Sequence, residues 1–272
     1  EYRASVIKEG DTVIGEHAYI VPQPQASCVI IDQSTGFVKA IVGGRGKKEA
    51  SLTLNRATDS RRQPGSTFKV IAAYAPALDS AHKTLATVYD NAPYAYENGV
   101  EVNNWDSHNT YTGLTTIRQA ITHSINVVTV KCLTDITPRL GFNYAEKLGI
   151  STLYDDTALD VRQPLALGGI TDGVVNLELT AAYATIANSG QYHEPKFYTR
   201  IEDQAGNVII DNTPVSTTIL KDSTAFLLTS AMQDVVTSGT GTGIHMGKMP
   251  VAGKTGTTSD YRDIWFSGYT PY

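Results

Sequence analysis

Two apolar runs near the start of the chain flank a short polar turn. Residues 28–31 and 37–42 are rich in aliphatic and β-branched side chains, and a Ser-Thr-Gly segment lies between them. Such runs around a glycine-containing turn predict a β-hairpin, which Gly43 and Gly44 close. The preceding residues, 1–27, are weakly patterned and end in Pro-Gln-Pro-Gln, a composition that disfavours helix and predicts a linker.

Helix-forming runs and helix-boundary residues mark the middle of the chain. A helix-entry serine follows a Pro-Gly breaker pair, and Ser189-Gly190 is typical of a helix end. Residues 124–126 interrupt two helical stretches, whereas residues 80–113, with many Asn, Tyr, Gly and Pro, predict a long irregular excursion. We predict helices at residues 66–74, 115–123, 127–133, 176–188 and 223–237.

Strand-like alternation returns in the last third of the chain. Residues 197–210 predict a second hairpin, and residues 251–257 and 263–269 predict two strands joined by a short polar turn. The order of strands, helices, hairpin, helix and strands predicts an α+β fold with an antiparallel sheet rather than alternating βαβ units. If the first and last strands pair in one sheet, residues near 66 and 254 come together.

The composition excludes several functional classes. Of 272 residues, 41% are hydrophobic and 18% charged, so wholesale disorder is excluded. A net charge of -5 without a basic block argues against nucleic acid as a partner. The apolar runs are far shorter than the roughly 20 residues that a membrane helix needs. Because the chain opens Glu-Tyr-Arg, without a Met start or signal peptide, we expect any anchor or export signal to lie outside it.

The cysteines and histidines indicate neither a disulfide framework nor a metal centre. Two cysteines, Cys28 in a strand-like run and Cys132 in a helical run, are expected to be buried free thiols that act as small hydrophobes. The six histidines are scattered, and no Cys-x-x-Cys or His-x-x-x-His pair exists, which argues against structural zinc.

A serine and a lysine three residues apart open the first predicted helix. This spacing puts Ser66 and Lys69 on one face, about one turn apart. Serine is a weak nucleophile that needs a base, and lysine serves as one only if its pKa falls well below about 10.4. Burial or a second cation has that effect. Taken alone, the pair favours a non-catalytic interpretation, an N-cap serine and a surface lysine, because Ser-x-x-Lys occurs by chance in many proteins.

Two further short motifs carry polar groups suited to acyl transfer. Ser124-Ile125-Asn126 lies between two predicted helices, where Ser124 could pass a proton and Asn126 could hold a substrate amide; ordinary helix capping is the alternative. The strand segment Lys254-Thr255-Gly256-Thr257 suits a carboxylate, and glycine in a strand marks a close approach. The N–H groups of Thr257 and Ser66 could form an oxyanion hole. An ordinary edge strand with a protective lysine is the alternative here.

Nucleotide binding is poorly supported on the same residues. A phosphate loop ending at residues 253–255 requires glycine at position 248, which holds Lys248. The glycine-rich stretch at residues 239–243 lacks the third dinucleotide-motif glycine, because Met246 holds that position, and it predicts a mobile loop.

A Ser-His-Asp hydrolase is also disfavoured. The chain contains no Gly-x-Ser-x-Gly elbow. His123 is adjacent to Ser124, and helical neighbours do not face each other. A satisfied or exposed histidine is the better interpretation.

Taken in order, the longer strings resemble the transpeptidase domain of class A penicillin-binding proteins. They are Arg-Gln-Pro-Gly-Ser-Thr-Phe-Lys at residues 62–69, Ser-Ile-Asn at 124–126, Gly-Lys-Thr-Gly-Thr-Thr at 253–258 and the segment 260–271. The resemblance runs from about residue 24 to the end. It implies a penicillin-binding-protein or serine β-lactamase-like fold, with a central antiparallel sheet flanked by helices and a mainly helical subdomain.

The resemblance implies a peptidoglycan D,D-transpeptidase that needs no cofactor or metal. Ser66 would attack the D-Ala-D-Ala bond of a stem peptide, Lys69 would be the base and Ser124 would relay the proton. Asn126 would bind the peptide amide, and the segment Lys254 to Thr257 the terminal carboxylate. β-Lactam antibiotics would acylate the same serine. The enzyme would work on the extracytoplasmic face of a bacterial membrane, anchored through a segment outside this chain.

Departures from the family pattern leave alternatives open. Ile125 stands where class A β-lactamases carry Asp, and no Glu-x-x-Leu-Asn segment supplies a deacylating base, which favours a penicillin-binding protein over a β-lactamase. Residues 1–27 would be the linker after an absent glycosyltransferase domain, and residues 28–272 a transpeptidase domain without its last strand and helix. An inactive penicillin-binding sensor and a D,D-carboxypeptidase remain the alternatives.

Overall fold

The computed structural model describes residues 10, 12, 24–48, 50–106, 108, 110–244 and 246–272. Its α-helices are α1 (Ala75–Asp79), α2 (Ile117–Thr122), α3 (Asn126–Ile136), α4 (Pro138–Lys147), α5 (Asn176–Ala187) and α6 (Asp222–Thr237). A 3-10 turn at Gly65–Thr67 and a π-helical segment at Val70–Tyr74 lead into α1, so residues 65–79 form one helical rod.

The strands pair in antiparallel ladders of two. In chain order they are β1 (Cys28–Ile31), β2 (Val38–Val42), β3 (Arg61–Arg62), β4 (Val88–Asn91), β5 (Gly113–Thr116), β6 (Val174–Val175), β7 (Gln191–His193), β8 (Arg200–Glu202), β9 (Val208–Asp211), β10 (Ser216–Thr218), β11 (Ala252–Thr257) and β12 (Ile264–Tyr269). The pairs are β1 with β2, β3 with β6, β4 with β5, β7 with β10, β8 with β9 and β11 with β12. The α+β class predicted from the sequence is confirmed.

The core lies where the helical rod, α3 and α6 meet. Phe68 and the segment Val70–Tyr74 are fully buried, and α3 and α4 pack against that segment. The apolar faces of α5 and α6 complete the core, and α6 packs along β11. Because the rod runs through the middle of the core, the residues at its start are fixed on a rigid support.

Most of the predicted elements are present, and one helix was missed. The hairpin at residues 28–42 and the strands at residues 251–257 and 263–269 are confirmed, and α6 matches its predicted range within one residue. Helix α4, which begins at Pro138, was not predicted. Proline is favoured at the first position of a helix, and this signal could have located the helix.

Two expectations about the first strand were wrong. Cys28 is a free thiol but is exposed, whereas Cys132 is free and buried as predicted. The strands β1 and β12 are not hydrogen-bonded to one another in the described residues. A cleft of about 600 Å³ lies between them, lined among others by Val29 and Phe266, and Ser66 does not line it. Cys28 also lines this cleft, which explains why its side chain is exposed.

The N-terminal linker prediction falls mostly outside the described residues. Of residues 1–27, the structure describes only 10, 12 and 24–27, so the linker stays a prediction, as does the further strand and helix expected from the resemblance. No helix among the described residues is long and apolar enough to cross a membrane.

Candidate active site

Ser66 sits in the 3-10 turn at the start of the helical rod. Pro64 precedes this turn, and the Thr67 hydroxyl donates a 2.8 Å hydrogen bond to the Pro64 carbonyl. From α5, the buried Tyr183 hydroxyl donates a 2.8 Å bond to the Thr67 carbonyl. Ser66 is half-buried, whereas Thr67, Phe68 and Lys69 are fully buried. The hydrogen bonds at the buried Thr67 therefore hold the turn in place, while the side chain of Ser66 stays accessible to solvent.

Strand β11 lies directly against this turn. Gly65 has φ +54°, and a Cβ placed on it would be 2.8 Å from the Thr257 carbonyl oxygen. A Cβ on Gly256 would be 2.5 Å from the Pro64 carbonyl oxygen. Both positions therefore need glycine, one for its left-handed conformation and both for the close approach. The expectation that residues near 66 and 254 come together is confirmed, although packing of β11 on the turn produces it, rather than pairing of β1 with β12.

Lys69 joins the first two motifs. Its Nζ is fully buried and donates hydrogen bonds to the Ser124 carbonyl at 2.6 Å, the Ser124 Oγ at 3.2 Å and the Asn126 Oδ1 at 2.6 Å. Two of these acceptors belong to Ser124, between α2 and α3, and the third belongs to Asn126, the first residue of α3. The structure therefore brings together residues that lie 55 and 57 positions apart in the chain.

Burial lowers the pKa values of two lysines at this site. Burial and, next, the charge of Lys254 hold the pKa of Lys69 well below its ordinary value. Burial alone lowers the pKa of Lys254 to about 7. Taking an ammonium ion out of water disfavours its charged form, and a second cation nearby adds to that effect. A neutral amine at Lys69 can accept a proton, as a base that activates a serine must.

The segment that holds Ser124 is conformationally unusual. Ser124 is buried and has φ +57°, a left-handed conformation that is costly for a residue with a Cβ. Such strained residues are often found at functional sites. The strain arises because α2 ends and α3 begins within four residues, so the chain turns sharply at Ser124.

Asn103 and Asn104, which the sequence analysis did not single out, support this segment. The Asn104 Oδ1 accepts hydrogen bonds from the backbone N–H groups of Asn126 at 3.1 Å and Val127 at 3.3 Å. These are the first N–H groups of α3, and Ile125 at its N-cap has no side-chain acceptor for them. The Asn126 Nδ2 donates to the Asn103 carbonyl at 2.7 Å. The irregular 80–113 region therefore caps α3 from a distance.

The third motif occupies most of β11. Lys254 is fully buried, and its Nζ donates a 3.1 Å bond to the Thr255 carbonyl. Thr255 is half-buried and Thr257 is exposed, so both hydroxyls lie closer to solvent than the lysine. Strand geometry places these threonines on one face and Lys254 with Gly256 on the other. The segment is a strand and does not open a helix, so the phosphate-loop alternative has no structural support.

The triad alternative has no structural support either. His123 is the exposed C-cap residue of α2. Its backbone carbonyl accepts a 2.8 Å hydrogen bond from the Trp105 indole. Its position at the helix end is consistent with the exposed histidine expected from the sequence.

The match to a family model covers nearly the whole chain. Residues 26–272 match the penicillin binding protein transpeptidase domain. Penicillin-binding protein 1A of Clostridium acetobutylicum is 35% identical over 260 residues, which cover 92% of this chain and 32% of that protein. Penicillin-binding protein 1A/1B of Bacillus subtilis is 32% identical over 263 residues, covering 91% of this chain and 28% of that protein. The chain thus spans about a third of the length of these relatives.

Solved structures share the fold. The D,D-transpeptidase domain of a peptidoglycan glycosyltransferase from Eggerthella lenta aligns with a TM-score of 0.73 and 22% identity, over 91% of this chain and 70% of that one. The PonA1 protein from Mycobacterium tuberculosis in complex with penicillin V aligns with a TM-score of 0.75 and 24% identity, over 91% of this chain and 66% of that one. At these identities the likeness concerns the fold.

Proposed function

Because the chain belongs to the penicillin-binding protein transpeptidase domain family, we propose that it cross-links peptidoglycan as a D,D-transpeptidase, with Ser66 as the nucleophile. One observation carries the assignment of roles. Lys69 follows Ser66 by three residues on the same helical rod, and its buried Nζ is hydrogen-bonded to both Ser124 and Asn126. A lysine with a lowered pKa in that position is suited to activate a serine hydroxyl.

Acylation begins with a proton transfer at Ser66. Neutral Lys69 accepts the proton of the Ser66 hydroxyl while Oγ attacks the carbonyl carbon of the D-Ala-D-Ala bond. The negative charge passes to the carbonyl oxygen, which the N–H groups of Ser66 and Thr257 would stabilise. The contact between Gly65 and the Thr257 backbone supports this pairing, because it places the two chain segments side by side.

The C–N bond then breaks, and D-Ala leaves as an amine. The Ser124 hydroxyl gives its proton to the leaving nitrogen and regains one from the Lys69 ammonium, whose Nζ lies 3.2 Å away. The acyl group remains on Ser66 as an ester. An amine from a neighbouring strand attacks this ester and forms the cross-link, with the proton transfers reversed.

Binding contacts would orient the substrate for this attack. Asn126 would meet the backbone amide of the stem peptide, and Lys254, Thr255 and Thr257 its terminal carboxylate. Gly256 has no side chain, so β11 can approach the nucleophile turn closely. Because peptidoglycan lies outside the membrane, the domain would act on the extracytoplasmic face of the bacterial cell membrane.

A labelled penicillin tests the nucleophile. We expect wild-type protein to become covalently labelled in a one-to-one ratio at Ser66, as read by mass spectrometry of the digested protein. Ser66→Ala should not label at all. Ser80→Ala, at the residue that follows the far end of the helical rod, is the matched control and should label normally. Labelling of Ser66→Ala would overturn the assignment.

A second assay separates cross-linking from its alternatives. The protein is incubated with a D-Ala-D-Ala pentapeptide, with and without an acceptor amine, and the products are resolved by mass. A new amide to the acceptor supports a transpeptidase. Release of D-Ala with water alone as acceptor would indicate a D,D-carboxypeptidase, and penicillin labelling without any turnover would indicate a penicillin-binding sensor.

A further inference from the structure

The glycine-rich loop after α6 is hydrogen-bonded both to the end of α2 and to strand β11. This loop, residues 238–243, contains the glycine-rich stretch 239–243, whose composition predicts a mobile segment. The Gly241 N–H donates a 2.8 Å bond to the Val235 carbonyl, and the Thr240 N–H donates a 3.3 Å bond to the Thr122 carbonyl. A Cβ on Gly239 would be 2.2 Å from that same Thr122 oxygen. The loop therefore packs against the end of α2, two residues before Ser124.

From this anchored position the loop reaches the third motif. The Thr240 Oγ1 lies 2.6 Å from the Thr255 Oγ1, so the two hydroxyls share a hydrogen bond. Thr255 follows the buried Lys254 on β11 and is half-buried. Thr240 thus links the end of α2 to the strand that carries the proposed carboxylate-binding groups.

A carboxylate can only accept hydrogen bonds, and this decides how the two hydroxyls must be oriented when one is bound. If Thr255 donates its proton to Thr240, it has none left for the anion. If Thr240 donates to Thr255, the Thr255 proton is free for the carboxylate, and the two bonds in series strengthen each other.

We propose that Thr240 is a positioning residue for the carboxylate of the substrate: its hydroxyl donates to Thr255, which in turn donates to the carboxylate. This inference rests on the proposed function, because it takes Thr255 as a carboxylate-binding group. Thr240 acts through its neighbour and has no contact of its own with the substrate. Its effect is therefore specific for substrates that carry the negative charge.

A merely structural role for Thr240 makes a different prediction. If the bond to Thr255 serves only to hold the loop in place, its loss would slow acylation by charged and uncharged compounds alike. The comparison of a penicillin with its methyl ester separates the two roles, because the ester keeps the reactive ring and loses the anion.

Three variants of the loop provide the test. Thr240→Val keeps the shape and removes the hydroxyl, Thr240→Ser keeps the hydroxyl, and Thr242→Val changes an exposed threonine in the same loop. The second-order rate of Ser66 acylation is measured with the penicillin and with its methyl ester. For Thr240→Val we expect a loss of about fivefold with the penicillin, the size of the one neutral hydrogen bond that orients Thr255, and almost none with the ester. The other two variants should behave like wild type.

A double variant tests whether Thr240 acts through Thr255. In a Thr255→Val background the relay has no second member, so adding Thr240→Val should cause no further loss with the penicillin. Equal losses for penicillin and ester, an unchanged rate in Thr240→Val, or additive losses in the double variant would each overturn the inference. Failure of the wild-type protein to label at Ser66 would instead contradict the proposed function, so the two failures are distinguishable.

Discussion

The Nζ of the buried Lys69 and the Oδ1 of the half-buried Asn126 lie 2.6 Å apart, although 57 positions separate them in the chain. The bond fixes the amine at the junction of α2 and α3, beside Ser124. Lys69 and Lys254, two buried lysines with lowered pKa values, then share one site. The first must be neutral and the second charged for acylation by an anionic substrate, and this difference leads to the first prediction.

Acylation by an anionic penicillin should depend on pH with a maximum. Lys69 must be neutral to act as a base, so the rate rises with pH as it loses its proton. Lys254 must be charged to attract the carboxylate, and since burial lowers its pKa to about 7, the rate should fall above about pH 7. Measured with the methyl ester of the same drug, the profile should lose the falling limb. A falling limb of equal depth for the ester would show that the charge of Lys254 does not bind the carboxylate.

Lys254→Met should make the protein more stable while impairing carboxylate capture. The pKa of Lys254 is about 7 in the folded state and 10.5 when exposed, so the unfolded state holds more protons between these values. Wild-type stability therefore rises with pH from about 7 to about 10, and below pH 7 the full cost of burying the charge is present. We expect the Tm difference between variant and wild type to be several degrees at pH 6 and to vanish near pH 10.

The exposed Lys248 provides the control for that measurement. Lys248→Met removes the same charge from the surface and should change Tm little at either pH. A constant Tm difference for Lys254→Met across this pH range would contradict the buried-charge explanation.

Ser124→Gly and Ser124→Ala should differ in stability and agree in activity. Both remove the hydroxyl that relays the proton, so both should slow acylation to a similar extent. Only glycine relieves the left-handed backbone at φ +57°, so the glycine variant should be more stable by about 1 kcal/mol. Chemical denaturation measures the difference, and equal stabilities would mean that the backbone relaxes on substitution.

Asn104→Ala should slow acylation and lower stability, although Asn104 lies in the irregular region. The change removes the acceptor for the first two N–H groups of α3, which costs about 1 kcal/mol and loosens Asn126. Asn104→Asp keeps a side-chain oxygen for this cap and should retain most of the activity. The acylation rates of the two variants provide the comparison.

Asn98→Ala is the matched control for the helix cap. Asn98 accepts a 3.1 Å bond from the Val100 N–H in an exposed turn, so its loss should leave acylation unchanged. Asn104→Asp proving as damaging as Asn104→Ala would mean that the cap does not hold the segment. The segment would then be held by the hydrogen bonds that the Asn104 amide donates to the Asn91 side chain and the Thr110 carbonyl.

Local patterning was sufficient to predict the elements that carry the three motifs. The turn at Ser66, the junction at Ser124 and the strand at Lys254 were placed because alternation, helix boundaries and breaker residues act over a few positions. The α+β class followed from the order of these elements. The roles of the motif residues came from a resemblance, and they stay predictions until they are tested.

Only the tertiary structure decided the burial, the pKa values and the hydrogen-bond partners, because these properties depend on residues that are distant in the chain. The sequence required a lysine with a lowered pKa, but only the packing of the rod, α3 and β11 buries Lys69 near Lys254 and lowers its pKa. Thr240 and Asn104 were likewise invisible, because the residues that they support, Thr255 and Asn126, lie at least 15 positions away in the chain. Conversely, the sequence-based expectations that β1 pairs with β12 and that Cys28 is buried were wrong. Periodicity predicts which faces of a strand are apolar and leaves open which neighbour covers them, since burial is decided by the whole fold.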